Sequence, residues 1–169
     1  GPQAGIIVGR KAYTEEIQRN PLTRALRIDK LTLAALEATL MEYAEPERAK
    51  KTIPTLRMLL EVPSSIKRRA KRLQNLLARG IKNTDISVVE DTSFSGGGAL
   101  PGTELKTYAV SLRPEGISVN LLEERLRRGS PPVVARIKED ALIIDLRTVQ
   151  NGEVKTLAGC LKDALGQLN

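Results

Sequence analysis

Close to Thr84 the apolar residues change their spacing, and that change constrains the fold more than any other feature of the chain. Before it they recur at helical intervals, as Ile66, Ala70, Leu73, Leu76 and Leu77 do. After it they alternate: Ile86 and Val88 flank Ser87, and Tyr108, Val110 and Leu112 alternate with Thr107, Ala109 and Ser111. A period of two gives each strand one face to bury. Ser118 then stands where a helix cap belongs, ahead of Val119, Leu122 and Leu126, and Gly129 ends that helix. Val133, Ala135 and Ile137 alternate again, Lys138-Glu139-Asp140 turns the chain, and Leu142, Ile144 and Leu146 return. Val154, Leu157, Leu161, Leu165 and Leu168 complete an amphipathic helix with Cys160 packed at its flank. The order strand, strand, helix, strand, strand, helix makes an α+β unit, a small antiparallel sheet covered on one face by two helices.

Upstream the pattern is helical, with one exception. Ile6-Ile7-Val8-Gly9 is a continuous apolar run that reads as a short, fully buried strand of a parallel sheet whose other strands are expected upstream. Arg10 to Asn20 reads as a short helix before Pro21. Leu31, Leu33, Ala34, Ala35, Leu36, Ala38, Leu40 and Met41 then leave few polar positions around a helix, which implies burial on most sides. Asp29 is placed to cap it. Pro46, Pro54 and Pro63 suit first helical turns, where a missing N–H does no harm. Ile53, Leu56, Leu59 and Leu60 face inward on the middle helix, and Gly80 is the left-handed stop after the third.

Charge points to an anionic partner. The net charge is +7 and the isoelectric point about 9.8, with RNA the leading candidate. Only 2% of residues are aromatic, so contact to RNA runs through backbone and shape and not through base stacking. The densest cluster is Lys67, Arg68, Arg69, Lys71 and Arg72, opposite the apolar stripe of their helix. A solvated helix face accounts for it; an RNA backbone contact also needs such clustered cations. Arg24 and Arg27 are three apart, so one helical turn sets both guanidinium groups on a common face. Such a pair receives a phosphate-like anion, although a solvated basic face satisfies the spacing too. Arg125, Arg127 and Arg128 complement the end of their own helix. The three glycines after Ser93-Phe94-Ser95 read as a flexible hairpin loop or as a backbone approach to an anion.

Much familiar chemistry is excluded. The chain has no His and a single Cys, hence no Ser-His-Asp triad, no internal disulfide, no histidine metal site and no thiolate zinc site. It carries no Walker motif and no dinucleotide fingerprint. Glu90-Asp91 and Glu123-Glu124 are adjacent pairs that diverge in strand or helix, so neither is an acid/base dyad. No apolar run reaches the roughly 20 residues that span a bilayer, and a reducing cytoplasm suits one cysteine. The chain lacks an initiator Met and reads as a fragment of something longer.

Six segments carry a resemblance. They are Gly1-Pro2-Gln3-Ala4-Gly5 with Ile6 to Gly9; Pro21-Leu22 with Arg24 to Leu31; Ala34 to Leu40; Ile53 to Leu59; Gly96 to Gly102; and Asp145-Leu146-Arg147-Thr148-Val149. Together, and in order, they resemble the C-terminal part of the bacterial selenocysteine synthases, the L-seryl-tRNA(Sec) selenium transferases. The resemblance implies a fold-type I enzyme using pyridoxal 5'-phosphate. It implies conversion of seryl-tRNA(Sec) to selenocysteinyl-tRNA(Sec) with selenophosphate, through an aminoacrylyl intermediate. It divides the chain into a large-domain remnant (1–30), connecting helices (31–82) and a small α+β domain (83–169).

Residue roles follow by position in the family's motifs. Arg24 and Arg27 correspond to active-site arginines that bind the anionic selenium donor. Gly1, Pro2, Gln3, Ala4 and Gly5 correspond to a loop beside the cofactor, near a dimer interface. The family's Schiff-base lysine precedes that loop, so no lysine here inherits its role and the fragment is expected to be inactive alone. Lys67, Arg68, Arg69, Lys71 and Arg72 become candidate tRNA contacts. The family assembles as a decameric ring of dimers and needs no membrane. Two other readings compete: a related pyridoxal phosphate-dependent lyase of a small amino acid or sugar acid, and a non-catalytic RNA-binding or assembly module.

Overall fold

The computed structural model describes residues 1–95 and 102–166 and divides the chain into two compact units, Gly1–Leu60 and Glu61–Asn169. The glycine run from Gly96 and the terminal Leu168 lie outside the described residues.

The first unit is helical. Its elements are α1 (Lys11–Arg19), α2 (Leu22–Leu26), α3 (Lys30–Tyr43), α4 (Pro46–Thr52) and α5 (Pro54–Leu60). Asp29 caps α3 as expected, accepting the N–H groups of Leu31 and Thr32 at 2.8 and 2.9 Å. Pro46 and Pro54 open their helices. The apolar run fares differently. Residues 6–9 belong to no strand, and Val8 is 90% exposed. A strand exists only through a ladder, and no described segment pairs with this one. The expected burial of α3 is corrected too: it has no buried residue, and Leu31 is 83% exposed. A helix apolar on every side needs cover on several, and within its unit α3 packs on α4. Ile53 is buried at the α4–α5 junction, whereas Leu60 is exposed and not inward.

The second unit carries the core. It comprises α6 (Pro63–Ala78), β1 (Thr84–Phe94), β2 (Glu104–Pro114), α7 (Val119–Arg128), β3 (Arg136–Lys138), β4 (Ala141–Asp145) and α8 (Val154–Gly166). The sheet is antiparallel throughout, in the order β1-β2-β4-β3. Ile86 pairs with Leu112 and Val88 with Val110, so the alternation read in the sequence turns one face inward. That face meets Ile66, Ala70, Leu73 and Leu77 of α6, Leu122 and Leu126 of α7, and Leu157 and Leu161 of α8. Helices α6 and α7 pack on the strands, and α8 closes the core by packing on α6 and α7. Helix α6, expected among the connecting helices, is part of the core. Ser118 caps α7 by accepting the Leu121 N–H.

Two local expectations change. Gly80 is not left-handed; among the described residues positive φ falls at Asn83, Glu139, Asp140, Gly102 and Gly116. A side chain at position 80 would instead press on Lys162, whose Nζ would lie 3.3 Å from its Cβ. The strand expected from Val133 to Ile137 shrinks to Arg136–Lys138, and Ile137 is 42% exposed. Pro131 and Pro132 have no N–H to give a ladder, and the Val133 N–H goes to the Leu126 carbonyl at 2.8 Å.

Candidate functional site

Helix α2 is only five residues long, which decides the geometry of Arg24 and Arg27. Arg24 lies in its last turn, and Arg27 follows its end with an extended backbone, φ −68° and ψ 138°. The common helical face expected from their spacing does not form. The chain must stay extended up to the Asp29 cap of α3, and that ends α2 before Arg27. Both arginines are exposed, and neither has a hydrogen bond or ion pair among the described residues. The carboxylate nearest in sequence, Asp29, is engaged elsewhere. The Thr32 hydroxyl, at 2.6 Å, and the backbone N–H groups of Thr32 and Leu31 hold its pKa below the ordinary value. Asp29 thus stabilises α3 and leaves the two guanidinium charges uncompensated.

The segment Gly1–Gly5 is neither helix nor strand, with Pro2 and Ala4 half-buried and Gln3 exposed. A Cβ on Gly1 would sit 2.6 Å from Cγ2 and 2.8 Å from Oγ1 of Thr39, so only glycine allows the chain this close to α3. Holding pyridoxal phosphate takes a lysine amine for the aldehyde and donors for the phosphate. The backbone N–H groups here supply donors, but no lysine stands in the segment. These residues alone do not compose a site for that cofactor.

The basic cluster on α6 is split by the fold. At about 100° per residue, the buried Ile66, Ala70, Leu73 and Leu77 define one side of the helix, and Arg69 borders it. Arg69 is 5% exposed; it donates to the Leu146 carbonyl at 3.0 Å and pairs with Glu61. It is unavailable to an external anion, which corrects its place among the candidate contacts. Lys67, on the other border, holds its ammonium 4.7 Å from the centre of the Tyr108 ring. Arg68, Lys71 and Arg72 remain exposed.

Residues 145–149 are structural. On the open face of the sheet Asp145 accepts the hydroxyls of Ser93 and Thr107, the latter at 2.7 Å, and the Arg147 N–H at 2.9 Å. Arg147 is 6% exposed and donates to the carbonyls of Lys106 and Glu61, at 2.5 and 3.3 Å. Arg69 and Arg147 thus fasten Glu61 and the Leu146 turn around the end of the sheet. Sequence reasoning missed both, because an arginine's burial depends on carbonyls brought from distant elements. The one local signal was the position of Arg69 beside the apolar stripe.

Comparison with known proteins follows the same residues. The family model described as SelA, L-seryl-tRNA selenium transferase, matches residues 1–150. The L-seryl-tRNA(Sec) selenium transferase of Maridesulfovibrio salexigens is 48% identical over 167 residues, 98% of this chain and 36% of that protein. The proteins of the same name from Moorella thermoacetica and Aquifex aeolicus are 48% and 47% identical, each over 98% of the chain. The chain spans about a third of the length of these curated relatives, 35–36%.

Proposed function

Because the chain belongs to the L-seryl-tRNA selenium transferase family, we propose that the whole protein transfers selenium to seryl-tRNA(Sec), with selenophosphate as donor and pyridoxal phosphate as cofactor. The observation that carries the reading is the identity of nearly half the residues across 98% of the chain to proteins bearing that name. We place the reaction in the cytoplasm and in a protein of the fold-type I class that assembles from several copies. No described helix is long and apolar enough to cross a membrane.

The cofactor, when bound, supplies the electronic activation of the amino acid carried by the tRNA. This chain's part is to bind and orient the selenium donor. Arg24 and Arg27 are the groups for it: exposed, permanently charged, and with no carboxylate turned toward them. Selenophosphate offers several oxygens, so two guanidinium forks at the end of a short helix can hold it by charge-assisted hydrogen bonds. Holding the donor in place lowers the barrier by removing its freedom before reaction, and the fixed charges stabilise the phosphate oxygens as selenium bonds to the substrate carbon and water takes up the phosphoryl group.

The substitution Arg27→Ala in the whole enzyme is expected to leave cofactor absorbance unchanged. It should raise the selenophosphate KM and lower turnover at limiting donor by about ten- to a hundredfold, the worth of one charged hydrogen bond. Unchanged turnover at limiting selenophosphate would remove Arg27 from the site.

A further inference from the structure

Four surface cations of the second unit are neutralised in pairs, Arg113 among them with Asp85, and those on the outward side of α6 are not. Arg127 and Arg128 of α7 are bridged to Glu123 and Glu124, and Arg136 reaches Asp91 at 2.7 Å. Helix α6 contains no acidic residue at all. On its outward side Arg68, Lys71, Arg72 and Arg79 line a groove of about 370 Å³ with Asn75, and no carboxylate is among the lining residues. Arg79 also lines an adjoining cleft of about 640 Å³, where it is joined by Lys82 and Lys162 and by a single carboxylate, Glu115. Among the described residues none of these six cations forms an ion pair. Like charges three and four residues apart each cost a helix about 0.2–0.5 kcal/mol, so the stripe gains nothing for α6 by itself.

Resting on the reading that the substrate is a tRNA, we infer that this stripe and cleft form a track for the RNA phosphate backbone. Arg68, Arg72, Asn75 and Arg79 recur at the helical period, within about 60° of one another around α6. From Arg68 to Arg79 the track is about 16 Å long, a length over which one nucleic-acid strand presents about five phosphates. No aromatic residue lines the groove or the cleft, so bases find nothing there to stack on and the contact carries no sequence information. Asn75 adds a neutral donor for a phosphate oxygen or a ribose hydroxyl. Arg69 and Lys67 take no part.

The test uses the intact protein that contains this chain, with unacylated tRNA(Sec) and an unrelated elongator tRNA as probes, read by fluorescence anisotropy across a KCl series. The triple variant Arg68→Gln, Arg72→Gln, Arg79→Gln is expected to weaken both RNAs alike, about tenfold or more. It should flatten the logarithmic salt dependence by about 0.7–0.9 for each phosphate that is no longer neutralised. The paired Arg127→Gln, Arg128→Gln variant should change neither quantity. Retained affinity and slope in the triple variant would overturn the track, as would weakened binding of only one of the two tRNAs. A polyglutamate peptide that binds the parent but not the triple variant, while tRNA binding persists, would also overturn it and assign the surface to an acidic protein. If the parent converts seryl-tRNA(Sec) and the triple variant binds tRNA as the parent does, the track fails and the family's reaction stands. If the parent converts none, the reaction fails, and anisotropy still judges the track.

Discussion

Arg69 differs from Arg68 by about 100° of helix rotation, and that rotation turns a surface cation into a buried one. Its partner Glu61 is held below the ordinary carboxylate range, first by the hydrogen bond from Arg69, against the opposing effect of burial. A carboxyl whose pKa is lowered on folding stabilises the fold above its unfolded value of about 4.5. That contribution fades as pH falls through the lower, folded value. Glu61→Gln is therefore expected to destabilise the second unit by about 2–3 kcal/mol at pH 7, since it leaves Arg69 buried without its counter-charge. The gap in urea midpoint between variant and parent should close as pH falls below 4.5 and through the lower, folded value of Glu61. A gap that persists to acid pH would mean that Glu61 acts through packing and not through its charge.

At the scale of elements, the clearest device is the β3–β4 hairpin. Lys138 pairs directly with Ala141, so Glu139 and Asp140 make a two-residue turn, with φ of 51° and 55°. Two left-handed residues match the twist of the strands, but glutamate occupies that region at a cost of about 1–2 kcal/mol. Replacing the pair by Glu139→Asn and Asp140→Gly should stabilise the second unit by about 1 kcal/mol, which thermal melting reads as a Tm about 4–8 °C higher. The turn itself was legible, as were the strand alternation, the Asp29 and Ser118 caps and the proline helix starts, because each depends on neighbours in sequence. What could not be read depends on neighbours in space. The run at residues 6–9 has strand composition but no described ladder partner, α6 looked like a connector until the sheet lay against it, and Arg27 fell outside a helix ended by a downstream cap. The candidate arginines stood out by charge and motif, but their arrangement around the end of α2 did not.

Across the molecule the two units bury very different amounts. In Gly1–Leu60 only Ala49 and Ile53 are buried, while the second unit holds a continuous core from Ile66 to Leu165. Hydrogen exchange on the chain alone should find the slowest amides in β2, β4 and α6, which line the buried core, and the fastest in residues 1–60. Comparable protection in the two halves would contradict this division. The first unit also bears Leu31, Leu33, Leu40, Met41 and Tyr43 on the exposed surface of α3, along a helix with basic residues at the Arg24 and Arg27 connector before it. A particle with an oily patch beside a wettable, charged one is a surfactant. The chain alone is therefore expected to adsorb at air–water boundaries and lower surface tension, which tensiometry checks.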